Sequence, residues 1–200
     1  MRALNSSKGY GAIAMTLHWA VVVLVLGSWF SGQFGDELPR GAPRDTGLFV
    51  HISLGIAIVG FVLARLFWRL ADPPPEPEQT PLGIWGERAA KAVQFAIYVL
   101  LIAVPVVGVL AQFARGHGLP VFGLFEIASP WTADRNFAEE VTEVHEVLSN
   151  TMMALIGLNA AAAIITSSST TARAKNAAGL ARLRLPVHQR AISRRVLATN

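Results

Sequence analysis

The residues of this chain with the greatest capacity for chemistry are its five histidines, since the sequence contains no cysteine. His18, His51 and His145 lie within or at the edge of long apolar stretches, whereas His117 and His188 lie in polar segments. A polar ring within an apolar span is energetically costly and marks a functional-site candidate. Such an imidazole can ligate a metal, or it can hydrogen-bond a neighbouring helix, and for an isolated histidine both interpretations are open.

The elements that carry these histidines follow from the distribution of charge. Only 15% of the 200 residues are charged, and the mean hydropathy is +0.44. Asp, Glu, Lys and Arg are absent from residues 9–35, 46–64, 92–114 and 147–172. Because a membrane-spanning helix needs about 20 mostly apolar residues, we predict an all-α, integral membrane four-helix bundle with spans over about 12–34, 51–70, 89–113 and 143–165. This composition excludes a soluble enzyme, a disulfide scaffold and an iron–sulfur protein.

The orientation of the bundle follows from its positive charges. Thirteen of the 17 Lys and Arg residues lie in the N-terminus, the second connector and the C-terminal segment, and four lie in the other two loops. Both termini are therefore predicted to be cytoplasmic. The same excess of Lys and Arg explains the positive net charge of the chain. A nucleic-acid partner is therefore not needed to account for it. We divide the chain into a membrane domain over residues 1–166 and a basic, disordered cytoplasmic tail over residues 167–200.

The predicted topology arranges the histidines in two levels. His51 and His145 fall at one depth near the outer face, where two imidazoles on different helices can supply the axial pair of a heme iron. Residues fourteen apart return to nearly the same helix face about 21 Å away. This spacing places Asn159 below His145 and Arg65 below His51, at the depth of His18 near the inner face. Two stacked heme levels would use these positions, and the pattern is complete except at Asn159.

Other residues fit the same interpretation less specifically. Arg65 and Arg69 are predicted to pair with the propionates of an inner heme, although inside-facing topology charges explain them equally well. Gly55, one turn into the second span, removes side-chain bulk where a flat macrocycle would lie. His117 is interpreted as a solvated loop residue, with a proton-carrying or quinone-contacting role as the alternative. His188 is given no role.

Several short motifs resemble the bacterial cytochrome b561 family over roughly residues 10–165. They are Leu17-His18-Trp19, His51-Ile52-Ser53-Leu54-Gly55, Arg65-Leu66-Phe67-Trp68-Arg69-Leu70, Pro105-Val106-Val107-Gly108, Phe122-Gly123-Leu124, His145-Glu146-Val147-Leu148 and Gly157-Leu158-Asn159-Ala160-Ala161-Ala162. The resemblance implies a four-helix, multi-pass protein of the bacterial inner membrane that carries two b-type hemes and exchanges electrons with quinone. Superoxide oxidation at the outer face is among the activities of the family.

By position, the resemblance implies that His51 and His145 ligate an outer heme b and that His18 ligates one side of an inner heme b. The fourth family ligand falls at Asn159, and an amide is a poor ligand for heme iron. The inner heme is therefore expected to be absent, held by His18 alone, or ligated by a residue that the sequence does not identify. The family also continues with two histidines where this chain has Ile164-Ile165-Thr166, so we hypothesise a frameshifted terminus over about residues 164–200.

Together these features predict a membrane b-type cytochrome that carries single electrons between an outer-face donor and the quinone pool. The alternatives are a heme-bearing anchor for a partner dehydrogenase or hydrogenase, a superoxide oxidase, and a degenerate member with an impaired inner heme. The two outer loops carry four basic and eight acidic residues, which disfavours steering of an anionic substrate such as superoxide. The expected partners are quinone, the lipid bilayer and a redox protein, and no catalytic residue is assigned.

Overall fold

The computed structural model describes residues 2–6, 9–35, 37–75 and 83–184, with side chains described up to residue 166. Four helices account for most of this chain, which confirms the predicted all-α class. They are α1 (Ala12–Gly35), α2 (Ala42–Ala71), α3 (Gly83–Ala114) and α4 (Arg135–Arg184). All four contain a segment long and apolar enough to cross a membrane. The four-helix membrane architecture expected from the charge-free stretches is therefore confirmed.

Three of the helices begin earlier than the apolar spans that predicted them. Helix α2 begins nine residues before His51 and α4 begins ten residues before His145. Pro43 fits the first turn of α2, where a missing backbone N–H costs nothing. The Asp134 side chain accepts a hydrogen bond from the Phe137 N–H at 3.1 Å and so caps α4. The two histidines therefore lie two to three turns inside their helices, where the backbone is fixed.

Helix α4 also continues farther than the fourth predicted span. Its backbone is helical to Arg184, whereas the sequence interpretation placed a disordered tail from residue 167 onward. The segment contains many alanines, which have the highest intrinsic helix propensity. Residues 185–200, which include His188, lie outside the described part of the chain. The domain division at residue 166 and the frameshift remain predictions.

The helices pack as two pairs, α1 with α2 and α3 with α4, and α2 joins the pairs by contacting α3. Halfway along the bundle lies a cluster of buried side chains, called the apolar core here: Val21, Val25, Ile58, Val62, Leu101, Val104 and Met152. Asn150 Oδ1 on α4 accepts hydrogen bonds from two α1 side chains, Trp29 Nε1 at 3.0 Å and Gln33 Nε2 at 3.4 Å. The amide of Asn150 thus links the first helix to the last.

A small hairpin between α3 and α4 was not anticipated from the sequence. Strand β1 (Leu119–Val121) pairs antiparallel with β2 (Phe125–Ile127). Three residues, Phe122 to Leu124, connect the strands, and Phe122 and Gly123 have positive φ values of 52° and 72°. We call this the hairpin end of the bundle. At the opposite, N-terminal end, the Asn5 backbone N–H donates to Asp72 Oδ2 at 2.9 Å, just after α2.

Candidate functional site

The structure brings His51 and His145 together near the hairpin end. Their ring centroids are 6.0 Å apart, and the ring planes are inclined by 78°. Both rings are partly buried between the helices. These two histidines, predicted to lie at one depth on different helices, have neighbouring rings in the fold.

Backbone carbonyl groups fix both imidazoles through the same ring nitrogen. Nδ1 of His51 lies 3.0 Å from the Ser28 carbonyl oxygen on α1, and Nδ1 of His145 lies 3.0 Å from the Val104 carbonyl oxygen on α3. A carbonyl oxygen can only accept, so Nδ1 carries the proton in each neutral ring. Within the part of the chain that the structure describes, no hydrogen bond engages Nε2 of either ring, which leaves its lone pair free for a ligand.

A serine hydroxyl adds a second contact to His51. Ser31 Oγ lies 3.2 Å from His51 Nδ1, and the same hydroxyl donates to the Ser28 carbonyl at 2.8 Å. Because the hydroxyl proton is used by Ser28, Ser31 Oγ accepts from the imidazole. Two acceptors on α1 therefore orient the His51 ring, whereas one acceptor on α3 orients His145.

Two glycines provide the space that the rings occupy. A Cβ atom at Gly32 would lie 3.1 Å from Cε1 of His51, and one at Gly108 would lie 3.0 Å from Cε1 of His145. Real Cβ atoms rarely approach that closely, so each glycine allows a helix backbone to lie directly beside an imidazole. Gly108 lies in one of the motifs noted in the sequence but was given no such role there, and nothing in the sequence had pointed to Gly32.

The chemistry of these residues fits a b-type heme at the hairpin end, which His51 and His145 would hold through Nε2. Their ring centroids, 6.0 Å apart, lie close enough for the two side chains to share one cofactor. A histidine ligand normally donates its second ring N–H to a carbonyl or carboxylate, as both of these do. The described residues form no cluster of three or more His, Asp or Glu side chains able to hold a metal ion, and an axial heme pair needs only two.

The N-terminal end of the bundle has a different arrangement around His18. Nη1 of Arg65 contacts His18 Nδ1, and Nε of Arg65 donates to the Tyr98 hydroxyl at 3.0 Å. The guanidinium carbon also lies 6.0 Å from the centre of the Tyr98 ring. Arg65 thus links His18 on α1 to Tyr98 on α3, and nothing in the sequence had pointed to Tyr98.

The remaining predicted site residues are spread along the bundle. Arg69 is exposed in the last turn of α2, one turn from Arg65. Asn159 is partly buried on α4. A Cβ atom at Gly55 would meet no atom within 4 Å, so there is open space beside it. The assignment of these residues to heme contacts remains a prediction.

A hollow of about 490 Å³ opens at the hairpin end beside the outer turns of α4. Its polar lining contains two arginines, three glutamates, a threonine and a histidine, namely Arg115, Arg135, Glu139, Glu143, Glu146, Thr142 and His117. Arg115 Nη2 donates to Thr142 Oγ1 at 2.8 Å, and Arg135 pairs with Glu139 at 2.9 Å. The hollow reaches Glu146, the neighbour of His145 in the chain, and His117 is an exposed residue of its rim.

A profile of the prokaryotic cytochrome b561 family matches residues 9–173, which is most of the chain and includes all three membrane histidines. The chain belongs to the prokaryotic cytochrome b561 family. Members are heme b proteins of electron transport, and the four apolar helices of this b561-family cytochrome place it in the bacterial inner membrane as a multi-pass protein.

Individual relatives agree with the family assignment. A probable superoxide oxidase CybB from Yersinia pestis is 32% identical over 162 residues, covering 79% of this chain and 88% of the relative. Cytochrome b561 homolog 2 from Escherichia coli K12 is 30% identical over 135 residues, covering 64% and 68%. Cytochrome b562 from Cereibacter sphaeroides is 30% identical over 116 residues, covering 54% and 69%.

Proposed function

We propose that this protein is a membrane b-type cytochrome that passes single electrons between a donor at the hairpin end and the quinone pool. The observation that carries the proposal is the facing pair of His51 and His145, with centroids 6.0 Å apart and each Nδ1 hydrogen-bonded to a carbonyl. When bound, heme supplies the one-electron redox change. His51 and His145 would hold the heme, and the apolar helices would exclude water from it.

The carbonyls of Ser28 and Val104 have two roles in this proposal. They hold each ring in the tautomer that presents Nε2, and they increase the electron density of the imidazole by accepting a hydrogen bond from Nδ1–H. Since both acceptors belong to helix backbones, the ring orientations are set before any ligand binds. This preorganisation reduces the side-chain entropy lost when the cofactor is captured.

We further propose that both termini are cytoplasmic, which places the hairpin end at the outer face. The support is the excess of Lys and Arg in the N-terminus, the second connector and the C-terminal segment. An outer-face donor would then approach through the hollow that Glu146 lines. A cysteine introduced at Leu124, an exposed residue of the hairpin, should react with a membrane-impermeant maleimide in intact spheroplasts. Labelling only after membrane disruption contradicts this orientation.

Replacing the two histidines tests the heme site. In purified His51→Ala and His145→Ala variants, the low-spin spectrum of a bis-histidine b-type heme should be lost, because one axial nitrogen is missing. His117→Ala is the matched control, since His117 is exposed on the rim of the hollow and should leave the spectrum unchanged. An unaltered reduced-minus-oxidised spectrum in either of the first two variants excludes this ligand pair. Reduction of wild type by a quinol, and reoxidation by a quinone, tests the exchange with the pool.

Superoxide oxidation is the second candidate function, favoured by the relative from Yersinia pestis. The charge around the hollow opposes it, because its three glutamates outnumber its two arginines and Arg135 is paired with Glu139. An anion gains little steering from such a surface. Pulse-generated superoxide should therefore reduce the purified cytochrome slowly, with little dependence on ionic strength. Fast reduction that slows as salt is added supports the oxidase instead.

A further inference from the structure

The N-terminal end of the bundle differs chemically from the hairpin end at the nitrogen that would ligate iron. A guanidinium group has only donors, so His18 Nδ1 must accept the hydrogen bond from Arg65 Nη1. The proton of the neutral ring then lies on Nε2, and a protonated nitrogen has no lone pair for a metal. At the hairpin end the proton lies on Nδ1 and Nε2 is free. The two levels therefore present opposite tautomers.

The protein itself holds Arg65 against His18. The Tyr98 hydroxyl accepts from Arg65 Nε at 3.0 Å, and the guanidinium carbon lies 6.0 Å from the Tyr98 ring centre. Tyr98 and Arg65 are both partly buried, so their hydrogen bond is sheltered from water. These two contacts use two of the five N–H donors of Arg65, one on Nε and one on Nη1.

The ring of His18 does not lie against any glycine that the structure describes. Among the glycines that the structure describes, Gly32 and Gly108 are the two whose missing side chains make room for a histidine ring, and both serve the His51–His145 pair. On α4, the position expected to supply the second ligand holds Asn159, whose amide is a weak ligand for heme iron. The apolar core separates this region from the hairpin end.

We propose that this b561-family cytochrome carries a single heme, at the hairpin end, and that Arg65, His18 and Tyr98 form a structural polar network in place of a second one. This inference rests on the proposed heme site between His51 and His145. In this network His18 forms a hydrogen bond between helices. Arg65 on α2 joins α1 and α3 at the N-terminal end of the bundle through His18 and Tyr98.

Heme stoichiometry and ligand variants test the inference together. Purified wild type should contain one heme per chain by pyridine hemochromogen assay against amino-acid analysis, and its ferric form should give one set of low-spin electron paramagnetic resonance signals. His18→Ala should keep both the heme content and the signals. Two hemes per chain in wild type, or a lower heme content in a monodisperse His18→Ala protein, overturns the single-heme proposal.

Heme content and spectra of wild type and His145→Ala distinguish an error in the single-heme inference from an error in the proposed ligand pair. His145→Ala should contain no low-spin heme. If it retains the wild-type spectrum, the ligand pair of the proposed function is wrong, whatever the stoichiometry. If wild type holds two hemes and His145→Ala loses one of them, the hairpin-end site stands and the single-heme inference is wrong. The number of hemes per chain is measured on the wild-type protein. The single-heme inference can therefore be tested even if a variant fails to fold.

Discussion

Gly108 of α3 lies against the imidazole of His145 of α4, so close that a Cβ atom at position 108 would come within 3.0 Å of His145 Cε1. The contact determines how far α3 and α4 can approach at the level of the ring. It also joins two features that are distant in the sequence, a glycine in the third helix and a histidine in the fourth.

Gly108→Ala should therefore displace the His145 ring and weaken heme binding, even though alanine favours helix formation over glycine by about 1 kcal/mol. We expect lower heme occupancy and altered low-spin resonance signals in the purified variant. Gly60→Ala is the matched control, because a Cβ atom at Gly60 would meet no atom within 4 Å. Equal heme content in both variants would show that the ring has room to move away.

Ser31→Ala should have a smaller effect on the His51 side of the site. The variant loses the contact between Ser31 Oγ and His51 Nδ1 at 3.2 Å, but the Ser28 carbonyl still accepts from the ring at 3.0 Å. Loss of an outer hydrogen-bond partner typically lowers metal affinity by about 10- to 100-fold, and we expect the lower end here because one acceptor remains. The midpoint potential should rise, since a less electron-rich imidazole stabilises ferric iron less. A potentiometric titration that shows a fall in potential contradicts this account.

Tyr98→Phe tests whether Arg65 serves the fold or a cofactor. Removing the hydroxyl takes away the acceptor of Arg65 Nε, and we expect a loss of about 1 kcal/mol in the free energy of unfolding. Heme content and visible spectrum should not change. Thermal unfolding in detergent measures the first effect and the hemochromogen assay measures the second. A halved heme content at unchanged stability would instead link Arg65 to a second heme.

Asn150→Ala should loosen the contact between α1 and α4. One amide oxygen accepts from both Trp29 and Gln33, and hydrogen bonds between membrane helices contribute about 0.6 kcal/mol on average and up to about 1.7 kcal/mol. The variant should unfold at lower temperature and release heme to an excess of apomyoglobin faster than wild type. Ser149→Ala serves as the control, because among the described residues its hydroxyl bonds to its own helix, at the Glu146 carbonyl. Equal release rates in the two variants would show that Asn150 does not close the bundle.

The membrane spans and the His51–His145 pair could be predicted from the sequence because both depend on one-dimensional patterns. Charge-free stretches define the spans, and helix geometry converts the position of a histidine into a depth. The hydrogen-bond partners of the two imidazole rings have no comparable pattern in the sequence. The Ser28 and Val104 acceptors are backbone carbonyls, which every residue possesses, so their role depends on how each helix is rotated.

The contacts of Arg65 at the N-terminal end also depend on how the helices are rotated. Arg65 was expected to face heme propionates because arginine pairs well with carboxylates, and this assignment remains a prediction. Its contacts with His18 and Tyr98 depend on side-chain positions from three helices, which the sequence does not give. The hairpin was missed because Phe122, with φ of 52°, occupies a conformation that is uncommon for a residue with a side chain.

The apolar core lies between the N-terminal end of the bundle and the single heme proposed at the hairpin end. This position determines how turnover responds to the membrane voltage. An electron that enters at the hairpin end and leaves at the same end does not traverse the membrane voltage, so turnover neither builds that voltage nor works against it. Moving one elementary charge across 100 mV involves about 2.3 kcal/mol, and this cytochrome would bypass that energy entirely. Its turnover in vesicles should accordingly be indifferent to an imposed potassium diffusion potential, as expected of an electron carrier confined to one leaflet.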